Sequence, residues 1–237
     1  MRQFLAILVV VCLGVLGITN VQAAEKPVLG VADFKNDTVA AWWRGGVGRE
    51  LASMLSNELA SNKKFKIVER SKLDPVLKEQ DLAQAGRIKA GTGAKIGELT
   101  GAQFMVMGTV SAYEENTQST GGGISFKGIS LGGSKSQAYI AIDLRVVNST
   151  TGELDFVRTV EARSGGFGVN LGLFRSGFGG ALKNEKKTPA GKAIRAVIVE
   201  IVDYLECAMV IQGSCMDEFD AKEQKRREGL KSAISLD

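Results

Sequence analysis

Histidine is absent from all 237 residues. That absence removes Ser-His-Asp and Cys-His nucleophilic chemistry, together with the commonest zinc sites. Cysteine and proline are scarce, with three of each. An excess of either charge is also missing. Thirty Lys and Arg stand against 26 Asp and Glu, for a formal +4, without the concentrated basic stripe that nucleic-acid binding needs. No nucleic-acid partner is expected. Acidic pairs such as Glu114 with Glu115, or Asp217 with Glu218, are adjacent rather than opposed, as on solvated element ends. Two glycine-rich stretches, "GGVGREL" (45–51) and "GTGAKIG" (91–97), lack the last glycine of a G-x-G-x-x-G pattern and a Gly-Lys-Ser/Thr ending respectively, so both read as helix starts. The chain therefore offers no catalytic, cofactor or metal site and is read as a non-enzyme.

Long apolar runs are missing except at the start. Arg2, the run from Phe4 to Ile18 and the small-residue pattern Val21-Gln22-Ala23 form a secretory signal peptide over residues 1–23. The run is short for a spanning helix, which needs about 20 residues. Cys12 falls inside the leader without a lipidation sequence before it, so a lipoprotein is not expected. Export leaves two cysteines, Cys207 and Cys215, in an oxidising compartment, with Gly213 between them to let the chain turn. A disulfide is the favoured reading; two buried thiols are the alternative.

What is present alternates strand and helix through the first half. "KPVLGVADFKN" (26–36) reads as a buried strand. Val47, Leu51, Met54, Leu55 and Leu59 make one apolar helical stripe. "FKIVER" (65–70) is a strand. Ser71 starts a helix carrying Leu73, Val76, Leu77 and Leu82, and a short helix follows over 94–99. "AQFMVMGTV" (102–110) is again a strand. "SQAYIAIDLRVV" (136–147) alternates strictly, with Ala138, Ile140, Ile142, Leu144 and Val146 on one face. A turn at 149–153 leads into "LDFVRTVEAR" (154–163). A helix resumes near Pro189 with Ala193, Ile194, Val197, Ile198, Ile201, Val202 and Leu205 inward, and the charged tail from Asp217 to Lys231 reads as a solvated helix end. This pattern argues for an α/β layer of helices against a mixed sheet.

Two excursions leave that body, and nearly half of the 29 glycines fall between Gly121 and Gly180. In "GGFGVNLGLFRSGFGG" (165–180), Phe167, Val169, Leu171 and Leu173 point one way from a strand, while Gly166, Gly168, Asn170 and Gly172 point the other. In "GISFKGISLGG", Ile124 and Phe126 flank Ser125. Lipid-barrel strands are apolar outward and small or polar inward, and about 9–11 residues cross a bilayer as a tilted strand. Periodicity alone leaves two readings open: membrane ribbons, or flexible loops folding over a partner. Two hairpins close a barrel only in a ring of copies.

These phrases carry a resemblance. "LTGAQFMVMGTVSAYEEN" (99–116), "STGGGISFKGISLGG" after it, "YIAIDLRVVNSTTGEL" (139–154) and "GFGVNLGLFR" (166–175) resemble the CsgG-type secretion channels of curli biogenesis, from about Val28 to the charged tail. The resemblance implies an α+β fold over residues 24–237: a TolB-N-like periplasmic domain with two inserted transmembrane β-hairpins, at about 115–136 and 161–185. It implies an oligomeric β-barrel in the outer membrane, built from identical subunits in a ring (nonameric by resemblance). Secreted protein substrate, outer-membrane lipid and periplasmic accessory proteins are the implied partners. Lipid would meet Phe167, Val169, Leu171, Leu173, Ile124 and Phe126; the lumen would meet Asn170 and Ser125. The constriction loop maps to 37–46, with Trp42, Trp43, Asp37 and Thr38 as its candidates. This loop is shorter than the family pattern, and the leader lacks the family's lipidated cysteine. The alternative function is a periplasmic interaction module of the same fold without a barrel.

Overall fold

The computed structural model describes residues 25–119, 125–126, 129–130, 134–164, 182 and 187–233; side chains within 116–136 and at 233 are not part of that description. The expected leader, Ile124 and the stretch from Phe167 to Leu173 lie outside the described residues.

A six-stranded mixed sheet organises the chain. Its order is β3 (Lys66–Val68), β1 (Val28–Val31), β4 (Phe104–Ser119), β7 (Ser134–Asn148) and β8 (Leu154–Arg163), with β2 (Lys35–Asn36) pairing beside β4; β5 (Ser125–Phe126) and β6 (Ile129–Ser130) pair separately. β1 runs parallel to both β3 and β4, whereas β7 runs antiparallel to its neighbours β4 and β8. The parallel pairs need crossovers. Helix α1 (Val47–Ser61) supplies the first and α2 (Asp74–Gln84) the second. Helix α3 (Pro189–Glu206) packs on β7 and β8 and against α1. A π-helical turn, Cys207–Ile211, then leads to α4 (Cys215–Ala233). The fold is mixed α+β.

Period decides the core. The alternating residues Ala138, Ile140, Ile142, Leu144 and Val146 are all buried beneath α3, whose stripe from Ala193 to Leu205 is buried in turn. Each fully buried aliphatic side chain contributes about 1.5–3 kcal/mol by leaving water. The start of α3 is fixed by Thr188, whose Oγ1 accepts from the Gly191 N–H at 3.1 Å, with Pro189 in the first turn. Glycine lets α1 approach its strand closely. A Cβ at Gly48 would stand 2.2 Å from the Phe34 carbonyl oxygen, and the Phe34 N–H donates to the Gly48 carbonyl at 3.1 Å.

Three local expectations differ from the structure. The strand over 26–36 is split, since the chain leaves the ladder after Val31 and rejoins it at Lys35. No helix forms over 94–99; the segment turns through Gly97, whose φ of +81° is left-handed. Ser71 does not cap α2. Its hydroxyl donates instead to Asp33 at 2.7 Å, and the helix starts at Asp74 with Leu73 as its cap residue. Among α2 residues only Gln80 is buried, and Val76, Leu77 and Leu82 are exposed rather than inward.

Candidate functional site

The loop between β2 and α1 is closed by its own hydrogen bonds. Asn36 Oδ1 accepts from the Thr38 N–H at 3.2 Å and from its hydroxyl at 2.7 Å, while Asn36 Nδ2 donates to the Thr38 carbonyl at 2.9 Å. Thr38 Oγ1 then accepts from the Ala40 N–H, and the Asp37 N–H donates to the Val110 carbonyl. Such side-chain to backbone bonds hold a turn without a regular element. The loop is thereby given an inside and an outside.

Inside lies Trp42, which is 4% exposed and part of the hydrophobic core. Its ring meets Trp43 edge-on at 5.7 Å and Tyr113 at 5.4 Å. Trp42 Nε1 is buried with no hydrogen-bond partner among the described residues. Trp43 is half-buried against the same cluster, and Thr38 is half-buried and occupied by the turn. Outside stand Asp37 and Val39, the latter 102% exposed. Of the four residues singled out for this loop, only Asp37 is freely presented. Val39, an apolar side chain wholly in solvent, carried no signal in the sequence.

The second element is the β4–β7 ribbon. Its ladder runs without interruption, apart from one bulge between Val110 and Ala112, from Phe104 opposite Asn148 to Ser119 opposite Ser134. Among the described side chains, Ala138 and Ile140 are the core-facing residues of β7 nearest the far end of the ribbon. Beyond them, Asn116, Thr117, Gln118 and Ser119 still pair with Gln137, Ser136, Lys135 and Ser134. Farther along the chain, Ser125 and Phe126 pair antiparallel with Ser130 and Ile129. The other excursion departs where the Ser164 N–H donates to the Ala138 carbonyl and Ser164 Oγ accepts from the Ala138 N–H, each at 2.8 Å. It returns at buried Leu182, whose N–H donates to Glu50 on α1 at 2.8 Å. Both ends of that excursion are tied to the body.

At the base of the ribbon, Tyr139 lies opposite Arg163, whose guanidinium is 5.0 Å from the Tyr139 ring centroid. Burial, followed by its hydrogen bond to Glu161, pushes the Tyr139 phenol well above its ordinary value. A cavity of about 540 Å³ opens beside β8 and α4, with Arg158, Glu161, Phe219, Lys222, Glu223 and Arg226 among its lining residues. Both signs of charge are present. Lys222 Nζ is 2.7 Å from Glu200 and 3.0 Å from Glu218, and Glu223 is held by Arg226 and Arg227 at 2.8 and 2.6 Å. The structure joins Cys207 and Cys215 in a disulfide, Cα to Cα 5.9 Å, at the turn from α3 into α4.

Among the described residues no group of three or more His, Cys, Asp or Glu could hold a metal ion. No helix among them is long and apolar enough to cross a membrane. The arrangement is one of surfaces and projecting strands.

A family model described as "Curli production assembly/transport component CsgG" matches residues 16–234. Proteins of that description from Citrobacter koseri and Escherichia coli K12 are each 30% identical over 133 residues, which is 54% of this chain and 48% of theirs. The chain thus spans about half the length of the curated relatives it matches, 48%. Among solved structures, a hypothetical protein from Chlamydia trachomatis is similar with a TM-score of 0.42 at 16% identity, over 76% of this chain and 96% of that one. The PelC dodecamer from Paraburkholderia phytofirmans gives a TM-score of 0.37 at 10% identity, over 75% and 86%.

Proposed function

The chain belongs to the CsgG family of curli production assembly/transport components, and from that premise we propose that it is one subunit of an outer-membrane secretion channel. Copies form a ring, and the two excursions of each copy contribute strands to one shared β-barrel. An unfolded polypeptide crosses the water-filled lumen by diffusion, with binding or folding outside giving direction. The subunit itself performs no catalytic step.

One observation supports this reading most: the β4–β7 ladder continues past the last pairs that face the core among the described side chains, to Ser119 and Ser134. A ribbon that outruns the helices covering its base leaves backbone-paired strand available to a larger closed sheet, the only kind that hydrocarbon accepts. On this reading the loop at 37–46 faces the lumen. Because Trp42 sits in the subunit's own core, the luminal part of that loop falls to Val39 and Asp37, with Trp42 and Trp43 as its anchor.

The test is to express the full chain with its leader, extract the membrane fraction in detergent and image it. Rings with a membrane belt are expected. A monomer that stays soluble without detergent overturns the channel and favours the periplasmic interaction module.

A further inference from the structure

α2 is a helix without a cover. It has 11 residues, and isolated helices shorter than about 12–15 residues are marginal in water. Its one buried side chain, Gln80, faces the following loop, where Nε2 donates to the Lys95 carbonyl at 3.5 Å. Val76, one turn before Gln80, is exposed, and so are Glu79 and Leu82, which step from it around one side of the helix. Steps of three residues keep them within one sector of the helix, spaced about 4.5 Å along the axis. The strip reads apolar, acidic, apolar.

The sheet has a bare face of matching form. α1 and α3 cover the side onto which Val106, Leu144 and Val146 point. On the opposite side, Met107 lies across from Arg145, and Arg145 across from Val157. All three are exposed, Val157 at 59%. Neighbouring strands are about 4.8 Å apart, so this row reads apolar, cationic, apolar at nearly the pitch of the α2 strip. Met105, Val147 and Leu154 add a second apolar row, and Thr109, Asp143 and Thr159 close the patch with polar groups. Neither Arg145 nor Glu79 has an ion-pair partner among the described residues.

We propose that these two surfaces are the two halves of one contact between copies of this chain. α2 of one subunit lies across β4, β7 and β8 of the next, Val76 and Leu82 over Met107 and Val157, with Glu79 against Arg145. The occupant is a second copy because both complementary surfaces, in pitch and in charge, belong to one sequence. Two different surfaces meeting head to tail make a heterologous contact, the kind that builds a ring when its rotation closes, rather than a two-fold dimer. The proposal rests on the ring reading above and names the contact that builds it.

The experiment is a charge swap in the full chain, extracted in detergent, with ring content read by gel filtration and negative-stain imaging. Glu79→Arg and Arg145→Glu are each expected to raise the concentration needed for assembly at least about tenfold, since like charges then face each other. The doubly exchanged chain is expected to recover rings, the signature of a direct pair. A photo-cross-linking residue at Val157 should capture peptides from 74–84 of another copy. Far-UV circular dichroism unchanged from the parent shows that the exposed substitutions leave the subunit folded. If the parent forms rings and the single exchanges form them equally well, or the double exchange fails to restore them, this contact is wrong while the channel stands. If the parent forms no ring, both readings fall together.

Discussion

The guanidinium of Arg158 lies over the ring of Tyr204, 4.9 Å from its centroid, and joins β8 to α3 from beneath α4. Phe219 stacks edge-on against the same tyrosine at 5.5 Å, and Arg158 Nη2 donates to the Phe219 carbonyl. Arg158 thereby fixes where α4 crosses the end of the sheet. Its side chain is only 8% exposed.

Replacing Arg158 by alanine therefore removes a desolvated cation–π contact and the stem that fills the seam. A loss of about 1–3 kcal/mol is expected, read as faster amide exchange in α4 than in α3. Lysine at the same position should recover little, because an ammonium lacks the planar face and the forked donors.

The Cys207–Cys215 bridge closes a short loop, with a sequence separation of 8. Chain-entropy reasoning gives a loop of that size about 2–3 kcal/mol. Serine at both positions should lower the melting temperature under oxidising conditions by several degrees. The same lowering should follow when the parent chain is reduced, and the serine variant should not respond to reductant.

Acid should loosen α4 first. Hydrogen bonds from Arg226, aided by Arg227, depress the Glu223 carboxyl from 4.5 to about 2. A carboxyl whose folded value is lowered adds stability that is complete above its unfolded value and is lost as pH falls through the folded one. The contribution of Glu223 is thus expected to fade between about pH 4.5 and 2. Melting curves across that window should show a smaller slope for Glu223→Gln than for the parent.

Two neighbouring glycines should behave oppositely. A Cβ at Gly48 would meet backbone at 2.2 Å, whereas one at Gly45 would meet nothing within 4 Å. Gly48→Ala must push α1 away from Phe34, at a cost of roughly 1–3 kcal/mol, while Gly45→Ala should stay within about 0.5 kcal/mol of the parent. Urea titrations of both variants check the contrast.

The glycine-backed stretch offers a test in membranes. Aspartate at Val169 would place a charge on the side proposed to meet lipid, an energetic penalty of up to about 2 kcal/mol at mid-membrane in every copy. Membrane-fraction rings should fall sharply for Val169→Asp and persist for Asn170→Asp. Equal tolerance of both would remove the lipid-facing assignment.

Periodic segments were legible because burial in them follows backbone geometry. The two-residue alternation from Ala138 to Val146 and the helical stripe from Ala193 to Leu205 each match one buried face. Val76, Leu77 and Leu82 carry the same kind of local signal, yet α2 leaves them in water, since a stripe states which side is apolar and not whether anything lies against it. Trp42 illustrates the converse. The resemblance implies a constriction-loop role for it, and Tyr113, far along the sequence, packs against it in the core.

The sequence by itself determined the elements with strong period and the family to which the chain belongs. Those features depend on residues a few positions apart, within reach of helix and strand repeat. Only the tertiary structure decided that β1 sits between β3 and β4, that the Val28 N–H donates to Gln103 Oε1, and that Met107, Arg145 and Val157 share one exposed row. Such adjacency is set by how the whole chain closes on one core, where each contact competes with every other apolar surface for the same space.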